Sequence, residues 1–356
     1  MLKNKWQKIG FIILAIVISI VLGLFITYNV LLGKVSNDNT VIDFNISYNT
    51  SSREVLENLK EAGLIKNIFV TKIYMKLNHV NNIQAGVYEL NKTMSTKEIL
   101  NKLSTGKVVS DEVTVTFVEG KRIPYYVSVI ANNFNISEEE ISATLNDKDF
   151  LKELINKYWF ISDDILNKDI YYPLEGYFFP DTYNFKKDAT VRDIVMTLIN
   201  GLDTKLRDYK ETILNSGYSA HEILTLASIV ELEGVNDESR NGVASVFYNR
   251  LRSGWTLGSD VTTYYAFKTD FSQELTLDQY NTCNPYNTRS SCFSGLPVGP
   301  ICSSGLESIK AVVKPVTSDY YYFVADKNKK TYYAKTSAEF NQIINELKKN
   351  NLWYTY

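Results

Sequence analysis

The chain contains 356 residues, with 38 basic and 40 acidic side chains and only two histidines. Its length exceeds that of one typical domain, so we expect two soluble domains, each with a core of its own. A formal net charge of −2 argues against a nucleic-acid-binding surface, and two histidines are too few for a histidine-built metal centre. We predict neither a metal nor a cofactor, so any catalysis must use other polar groups.

An almost unbroken apolar run extends from Phe11 to Leu32. As a helix it is long enough to cross a bilayer core of roughly 30 Å. Three lysines precede it, which favours residues 1–10 in the cytoplasm and everything after Lys34 outside. A cleaved signal peptide is the alternative, but the run exceeds a usual h-region and no small-x-small site follows it. We therefore expect an uncleaved single-pass anchor in a cell membrane, followed by a polar linker at 33–40.

The pattern of residues 41–110 predicts a small α+β module. Alternating apolar residues at 42–46 indicate a half-buried strand, and AGVYEL at 85–90 indicates a second one. Capping boxes that begin at Ser51 and Ser95 predict two helices. A further amphipathic helix is predicted from its apolar residues, which are Ile68, Phe69, Ile73 and Leu77. We infer a binding or spacing role, because nothing in the module suggests catalysis.

The remainder of the chain, 111–356, is predicted to form a second α+β domain, with a helical and aromatic subdomain at 118–215 and a core subdomain at 216–356. Alternation over 113–117 indicates a strand that either closes the first module or leads out of it. In LEGYFFPDTYNF, 174–185, five aromatic residues crowd twelve positions. Most of these rings should fill a hydrophobic core, and one or two could stack on the apolar face of a sugar.

The segment from His221 to Gly234, HEILTLASIVELEG, predicts a buried helix that ends on a carboxylate. Ser219 and Glu222 form a capping box at its start, and apolar residues recur at helical spacing up to Glu231. Apolar neighbours remove hydration from a carboxyl group, so Glu231 is expected to keep its proton near neutral pH, as a general acid must. The alternative is that Glu231 lies on a frayed, solvent-exposed helix end.

Two later segments concentrate polar side chains. TLGSDVTTYYAF, 256–267, places short polar groups in a turn before a helix, where they serve either as cap and turn residues or as ligands. NPYNT and GLPVGP, within 284–300, form a long loop punctuated by glycine and proline, which is typical of functional loops. Cys283 and Cys292 can close a short loop through a disulfide, and the third cysteine, Cys302, would then be unpaired.

Eight stretches of the second domain resemble the YceG-like family, the endolytic murein transglycosylases, and occur in the family order. They are VEG, LEGYFFPDTY, LASIVELE, VFYNRL, LGSDVTTYYA, NPYNT, GLPVGP and YYFVA. One such motif would be a weak signal, whereas eight in order over 118–325 are highly specific. Residues 41–107 resemble the small LysM-like domain of the family, with fewer diagnostic residues.

The resemblance implies an enzyme that acts outside the membrane on peptidoglycan. It implies a cut between N-acetylmuramic acid and N-acetylglucosamine within glycan strands, which leaves a 1,6-anhydro end, and a catalytic core at 216–356. Glu231 matches the catalytic glutamate of the family, the first Glu of SIVE. Expected partners are glycan strands, the cytoplasmic membrane and cell-wall synthases or elongation and division proteins, but no nucleic acid. Candidate substrate-binding residues in the matching motifs are Glu175, Tyr177, Tyr248, Asn249, Ser259, Asp260, Thr262, Thr263, Tyr286 and Asn287.

Several positions depart from the family pattern. Val298 stands for the second proline of GLPPGPI, and Ser303 and Ser304 stand for the usual asparagine and proline before the next glycine. The two histidine-containing motifs near the end appear as tyrosines at 332–333 and as Glu-Phe-Asn at 339–341. These changes argue against a histidine role in the final hairpin and leave the glutamate chemistry intact.

A transglycosylase needs only one special carboxylate. We expect protonated Glu231 to donate to the glycosidic oxygen and then, as a carboxylate, to take the proton of the muramyl C6 hydroxyl. This internal nucleophile has a high effective concentration, so no water-activating base is needed. Glu233 lies roughly opposite on the helix and is expected to pair with Arg250 or another cation. The alternatives are a lysozyme-type hydrolase that uses Glu231 and Asp260, and a noncatalytic peptidoglycan-binding scaffold.

Overall fold

The chain is described by a computed structural model that covers residues 5–47, 50–80, 82–106, 112–292 and 294–353. It divides into two compact units, Met1–Asp111 and Glu112–Tyr356. Both units combine helices with pairs of short antiparallel strands. The mixed α+β class predicted from the sequence is therefore confirmed.

The first helix, α1 (Lys5–Leu32), contains the predicted apolar run. Its segment Ile9–Leu32 has a mean hydropathy of 3.2 and, among the residues that the structure describes, is the one helix long and apolar enough to cross a membrane. At its end, the Lys66 ammonium donates to the Val30 carbonyl at 3.0 Å, and Leu32 is buried. The last turn of α1 therefore contacts the module that follows it.

Five elements build this module: β1 (Ile42–Ile46), α2 (Ser52–Glu61), α3 (Ile68–Leu77), β2 (Gly86–Leu90) and α4 (Thr96–Thr105). The two strands pair antiparallel, and their inward residues share one core with the apolar faces of the helices. The capping box predicted at Ser95 is present. At Ser51 the structure has one half of the predicted box, in which the hydroxyl accepts from the Glu54 amide.

The face predicted for α3 is wrong. Phe69 and Leu77 are 73% and 67% exposed, whereas the buried side chains are Thr71 and Met75. Ile68, Thr71 and Met75 follow the i, i+3, i+7 strip of the helix. This strip faces the shared core of the module, and apolar residues on the other side of α3 remain outside that core.

The second unit is larger and mostly helical. Its elements are β3 (Glu112–Thr116), α5 (Ile123–Asn133), α6 (Glu138–Leu145), α7 (Lys148–Lys157), β4 (Thr182–Lys186), α8 (Val191–Leu206), α9 (Lys210–Leu214), α10 (Ala220–Glu233), α11 (Asp237–Arg252), α12 (Asp260–Ala266), α13 (Leu277–Asn281), α14 (Leu306–Val313), β5 (Tyr322–Ala325), β6 (Thr331–Ala334) and α15 (Ser337–Lys349). One hydrophobic core runs from Val115 to Val313. The predicted subdomains 118–215 and 216–356 therefore share a core.

The strand predicted at 113–117 leads out of the first module. It corresponds to β3, which pairs antiparallel with β4, and Val115 lies opposite Tyr183. The sequence did not predict β4, because the helix-breaking Gly176 and Pro180 obscure the alternation that follows them. The fold thus brings the start of the second domain next to its aromatic stretch.

Most rings of the aromatic stretch fill the core, as predicted. Tyr177, Phe178, Phe179 and Phe185 are buried, and Tyr183 packs against the same cluster. Gly176 has φ +81°, and a Cβ added there would collide with the ring of Pro300. Because only glycine tolerates both the backbone angle and this close approach, the aromatic stretch can lie directly against the GLPVGP loop.

Candidate active site

Helix α10 holds Glu231 at the edge of the core. The predicted capping box of Ser219 and Glu222 is present, and every side chain from Ile223 to Val230 is buried. Since the end of the helix is packed and not frayed, only 8% of Glu231 is exposed. The solvent-exposed alternative is therefore wrong.

The carboxylate of Glu231 faces polar groups, although an apolar wall was expected. Its Oε2 accepts from the Gly305 amide at 2.9 Å and from the Ser308 hydroxyl at 2.6 Å. Both donors lie at the start of α14, where Gly305 supplies no side-chain cap. Glu231 provides the missing acceptor at a helix end that favours negative charge. Both donors thus engage Oε2, whereas Oε1 faces the guanidinium of Arg240 at 3.4 Å.

Arg240 and Glu119 complete the surroundings of Glu231. Nη2 of Arg240 lies 3.4 Å from Oε1 of Glu231 and 3.9 Å from Oε1 of Glu119. Asp237 holds the same guanidinium through Nη1 at 2.8 Å. Partial burial and then the charge of Glu231 raise the pKa of the Glu119 carboxyl above its ordinary value. Glu231 therefore has a second carboxyl group beside it and a cation between the two.

Sequence reasoning did not single out Glu119, Arg240, Gly305 or Ser308. Glu119 lies in the quoted VEG motif, so the signal for an acidic residue at the site was available. Arg240, Gly305 and Ser308 carry no comparable local signal, because their positions depend on how α11 and α14 pack against α10.

Most residues predicted to bind substrate lie inside the fold. Apart from Asp260, each exposes at most 8% of its surface. Buried polar groups require internal partners, and the contacts below identify them. The nine buried residues are Glu175, Tyr177, Tyr248, Asn249, Ser259, Thr262, Thr263, Tyr286 and Asn287.

A hydrogen-bond network joins the start of α12 to the NPYNT loop. The hydroxyls of Thr262 and Thr288 lie 2.8 Å apart, and the Thr263 hydroxyl donates to Asn287 Oδ1 at 2.8 Å. Asn287 Nδ2 in turn donates to one backbone carbonyl within α13 and to another just after that helix. Both short polar segments singled out in the sequence are thus brought together, and their side chains fix each other.

Glu175 and Tyr177 are each fixed by internal hydrogen bonds. The Glu175 carboxylate accepts from the first amide of α5 at 3.0 Å and from the Tyr265 hydroxyl at 3.1 Å. Burial raises the pKa of Glu175 to about 8. The Tyr177 hydroxyl is 2.7 Å from Nδ1 of His221, and the Tyr286 ring packs on Tyr265 with centroids 4.7 Å apart.

The VFYNRL motif attaches α11 to the end of the chain. Tyr248 donates its hydroxyl to the Val312 carbonyl at 2.9 Å, and Asn249 Nδ2 donates to the carbonyls of Ser318 and Tyr320 at 2.8 Å each. These bonds hold α14 and the approach to β5. The motif acts on the site by fixing the helix that binds Glu231.

Glu233 contacts Ser259 and not Arg250. The Ser259 hydroxyl donates to Oε1 of Glu233 at 2.5 Å, and burial raises the pKa of Glu233 to about 7. The guanidinium of Arg250 instead donates to backbone carbonyls. The ion pair predicted for Glu233 and Arg250 is therefore absent within the described part of the chain.

Asp260 is the predicted substrate residue with appreciable exposure. Its side chain is 49% exposed and lies 3.3 Å from Arg289 Nε. Burial of the remainder raises its pKa above the ordinary value, although Arg289 acts in the opposite direction. The hydrogen bonds and ion pairs of Glu231 in the described residues do not include Asp260.

Cys283 and Cys292 form a disulfide with their Cα atoms 5.7 Å apart, the pairing that the sequence allowed. Cys302 is a free, buried thiol, whose pKa is raised by burial. The bridge closes the loop that carries NPYNT. Across the residues that the structure describes, no cluster of histidine, cysteine and acidic side chains is suited to a metal ion.

Comparisons with known proteins match most of the chain. The profile of the YceG-like family matches residues 44–346. An endolytic murein transglycosylase of Bacillus subtilis (strain 168) is 33% identical over 324 residues, 90% of this chain and 89% of that protein. One of Streptococcus pneumoniae (serotype 2, strain D39 / NCTC 7466) is 30% identical over 328 residues, which are 87% of this chain and 59% of the relative.

A crystal structure of a yceG-like protein from Listeria monocytogenes superposes with a TM-score of 0.61 at 32% identity, and the match covers 86% of this chain and 99% of that chain. The second unit is thus an α+β domain built around a buried carboxylate centre. The chain belongs to the YceG-like family.

Proposed function

We propose that the chain cuts the bond between N-acetylmuramic acid and N-acetylglucosamine within peptidoglycan strands and leaves 1,6-anhydro ends. The coarser assignment, a murein transglycosylase and hence a lyase, follows from its family and from the names of its curated relatives. The observation that carries the proposal is the placement of Glu231, with Oε2 held by two donors and Oε1 engaged more weakly, by Arg240 Nη2 at 3.4 Å.

In the proposed reaction, Oε1 of Glu231 gives its proton to the glycosidic oxygen as the bond to the muramyl anomeric carbon breaks. The C6 hydroxyl of the same sugar attacks that carbon, and its proton passes to the Glu231 carboxylate. No water is consumed, and the acid is regenerated. Arg240, Gly305 and Ser308 stabilise the carboxylate that exists between the two proton transfers, because their charge and donors are already in position.

We further propose that α1 anchors the enzyme in a bacterial cell membrane, with residues 1–10 in the cytoplasm and both following domains outside. There it would meet nascent glycan strands beside the synthases and the elongation or division proteins, and its cuts would terminate strand growth. The order β1, α2, α3, β2, with the two strands paired, supports a LysM-like module that binds the glycan.

The experiment is digestion of purified peptidoglycan strands by the full chain and by Glu231→Gln. We expect the wild-type products to be one water lighter than hydrolysis products, by mass spectrometry, and the variant to be inactive with unchanged circular dichroism. Glu238→Gln, an exposed neighbour on α11, is the matched control and should retain full activity. Full activity of Glu231→Gln would exclude its proposed role.

A second candidate function is favoured by Glu119. A lysozyme-type hydrolase needs two carboxyl groups at the scissile bond, and the structure places Glu119, not Asp260, beside Glu231. Glu119 would then activate water. The same mass spectrum decides between the two functions, because a reducing muramic acid end identifies the hydrolase.

A further inference from the structure

A cavity of about 440 Å³ opens between the start of α5 and the segment that follows α12. Gly120 lies at one end of it. A Cβ added to Gly120 would lie 3.9 Å from Cγ of Glu231, so the same glycine borders the cavity and the candidate acid. A group bound in the cavity could therefore belong to a substrate that also reaches Glu231.

Three cations line this cavity, and each lies over an aromatic ring. Nζ of Lys268 is 5.0 Å from the centroid of Tyr171, and Nζ of Lys121 is 5.7 Å from that of Tyr125. The Arg122 guanidinium is 5.1 Å from the Tyr265 centroid. Such contacts orient cations without neutralising them. Within the described ranges, none of the three forms an ion pair with a carboxylate.

The acidic groups nearby do not cancel this charge. Asp270 is the carboxylate among the lining residues, and it accepts from the amide and hydroxyl of Ser272 at 2.8 and 2.6 Å. Glu175 lies behind the cavity wall, and its pKa of about 8 keeps it largely protonated at neutral pH. Three cations face one carboxylate, so the cavity has a positive excess.

The end of α12 fixes the backbone at Lys268. Its φ is +53°, in the left-handed region that residues other than glycine seldom adopt. This is the left-handed turn that ends α12, in which the Lys268 amide donates to the Tyr265 carbonyl at 3.1 Å and the Thr269 amide to the Tyr264 carbonyl at 3.0 Å. It follows the end of α12, where the Tyr171 hydroxyl donates to the Ala266 carbonyl at 2.8 Å, and it holds the ammonium over the ring of Tyr171.

We propose that this cavity is a subsite for a carboxylate of the peptide stem carried by the muramyl residue next to the cut. The inference rests on the proposed function, since a peptidoglycan strand reaching Glu231 would bring its stem along. The cations attract the carboxylate, while the tyrosine walls contact the apolar methyl groups of the stem alanines. The sugar rings themselves carry no anion when the stem is attached, so the stem is the source of negative charge.

The test uses the full chain with Glu231→Gln, so that binding is measured without cleavage. The ligands are glycan oligomers with stems, and the same oligomers after an amidase has removed the stems and left the lactyl carboxylate on the sugar. We expect tighter binding of the stem-bearing oligomers by calorimetry. Lys268→Ala and Lys121→Ala should each reduce this preference roughly fivefold, while Lys187→Ala, an exposed lysine elsewhere on the second unit, should leave it unchanged.

Equal affinity for both oligomers, or a preference that survives both lysine substitutions, would overturn the subsite. A weakening that is the same for stripped and stem-bearing oligomers would also overturn it, because it would assign the charge to the lactyl group. Failure of the proposed function has a different signature: the wild-type chain would bind stem-bearing oligomers preferentially and leave them uncut.

Discussion

The Ser308 hydroxyl donates to Oε2 of Glu231 at 2.6 Å, across the contact between α14 and α10. A hydrogen bond to a charged group contributes about 1.5 to 3 kcal/mol. We therefore expect Ser308→Ala to reduce kcat roughly tenfold to a hundredfold with little change in fold. Ser245→Ala is the control, because its buried hydroxyl bonds to that of Ser318 and not to Glu231. Equal activity of the two variants would contradict the role of Ser308.

Arg240 should matter through its charge. Its guanidinium lowers the pKa of Glu119 against the effects of burial and of Glu231. In Arg240→Gln we expect the Glu119 pKa to rise further and activity to fall about tenfold or more, since two carboxyl groups lose their common cation. Arg240→Lys should restore part of both. The measurement is an NMR titration of the labelled Glu119 carboxyl together with product formation, and an unchanged titration would refute the arrangement.

Gly305 occupies a position where a side chain would enter the site. A Cβ there would collide with the Glu119 carboxyl and lie 3.4 Å from Oε2 of Glu231. The backbone angle of Gly305, φ −70°, suits any residue, so Gly305→Ala should fold. We expect its activity to fall at least tenfold, because a displacement of about 1 Å at catalytic groups costs about a hundredfold in rate. Thermal unfolding separates this loss from misfolding, and a fully active variant would show that Glu119 moves freely.

Two carboxyl groups, the buried one of Glu175 and the partly buried one of Glu233, should make stability depend on pH. The pKa values of Glu233 and Glu175 are raised from 4.5 to about 7 and about 8. A raised pKa means that the folded chain binds the proton more tightly than the unfolded chain, so this stability is complete below about pH 4.5 and is lost progressively as pH rises to about 8. We expect Tm to fall over this range and the fall to be smaller in Glu233→Gln and Glu175→Gln. Identical slopes in wild type and both variants would contradict the burial argument.

The bridge between Cys283 and Cys292 should stabilise the second unit. A closed loop of this length is worth about 2 to 3 kcal/mol in the chain-entropy description. We expect the double variant Cys283→Ser with Cys292→Ser to lose about that free energy of unfolding and to bind glycan oligomers less tightly, since the NPYNT loop is released. Reductant should lower the stability of the wild type alone. A similar loss of stability of the double variant in reductant would show that the effect does not come from this bridge.

Local patterns predicted much of the fold. The apolar run of α1, the capping boxes at Ser95 and Ser219 and the alternation in β1 depend on neighbours within a few residues, so the sequence states them directly. The face of α3 could not be predicted, because apolar residues lie on two sides of this helix and only its packing into the shared core of the module selects Thr71 and Met75.

Residues of the candidate site also differ in whether the local sequence could predict them. Glu231 was identified from a capped helix and a motif, whereas its burial, which the sequence left open, depends on the packing of α14 against α10. Its partners Ser308 and Arg240 could not be identified, because their contacts span 77 and 9 residues of sequence and depend on helix packing. The motif that contains Thr262 and Thr263 was visible in the sequence. Its local pattern could not show whether these hydroxyls bond to another loop inside the fold or contact a ligand at the surface.

The shared position of Glu231, at the end of α10 and at the start of α14, connects protonation to the rigidity of the fold. In the proposed reaction Glu231 passes between its protonated and charged forms, and a charged acceptor caps α14 more strongly than a protonated one. The contact between α10 and α14 is therefore strongest while Glu231 is the carboxylate that takes the proton of the muramyl C6 hydroxyl. Each proton transfer at Glu231 would thus change how firmly the two helices are held together.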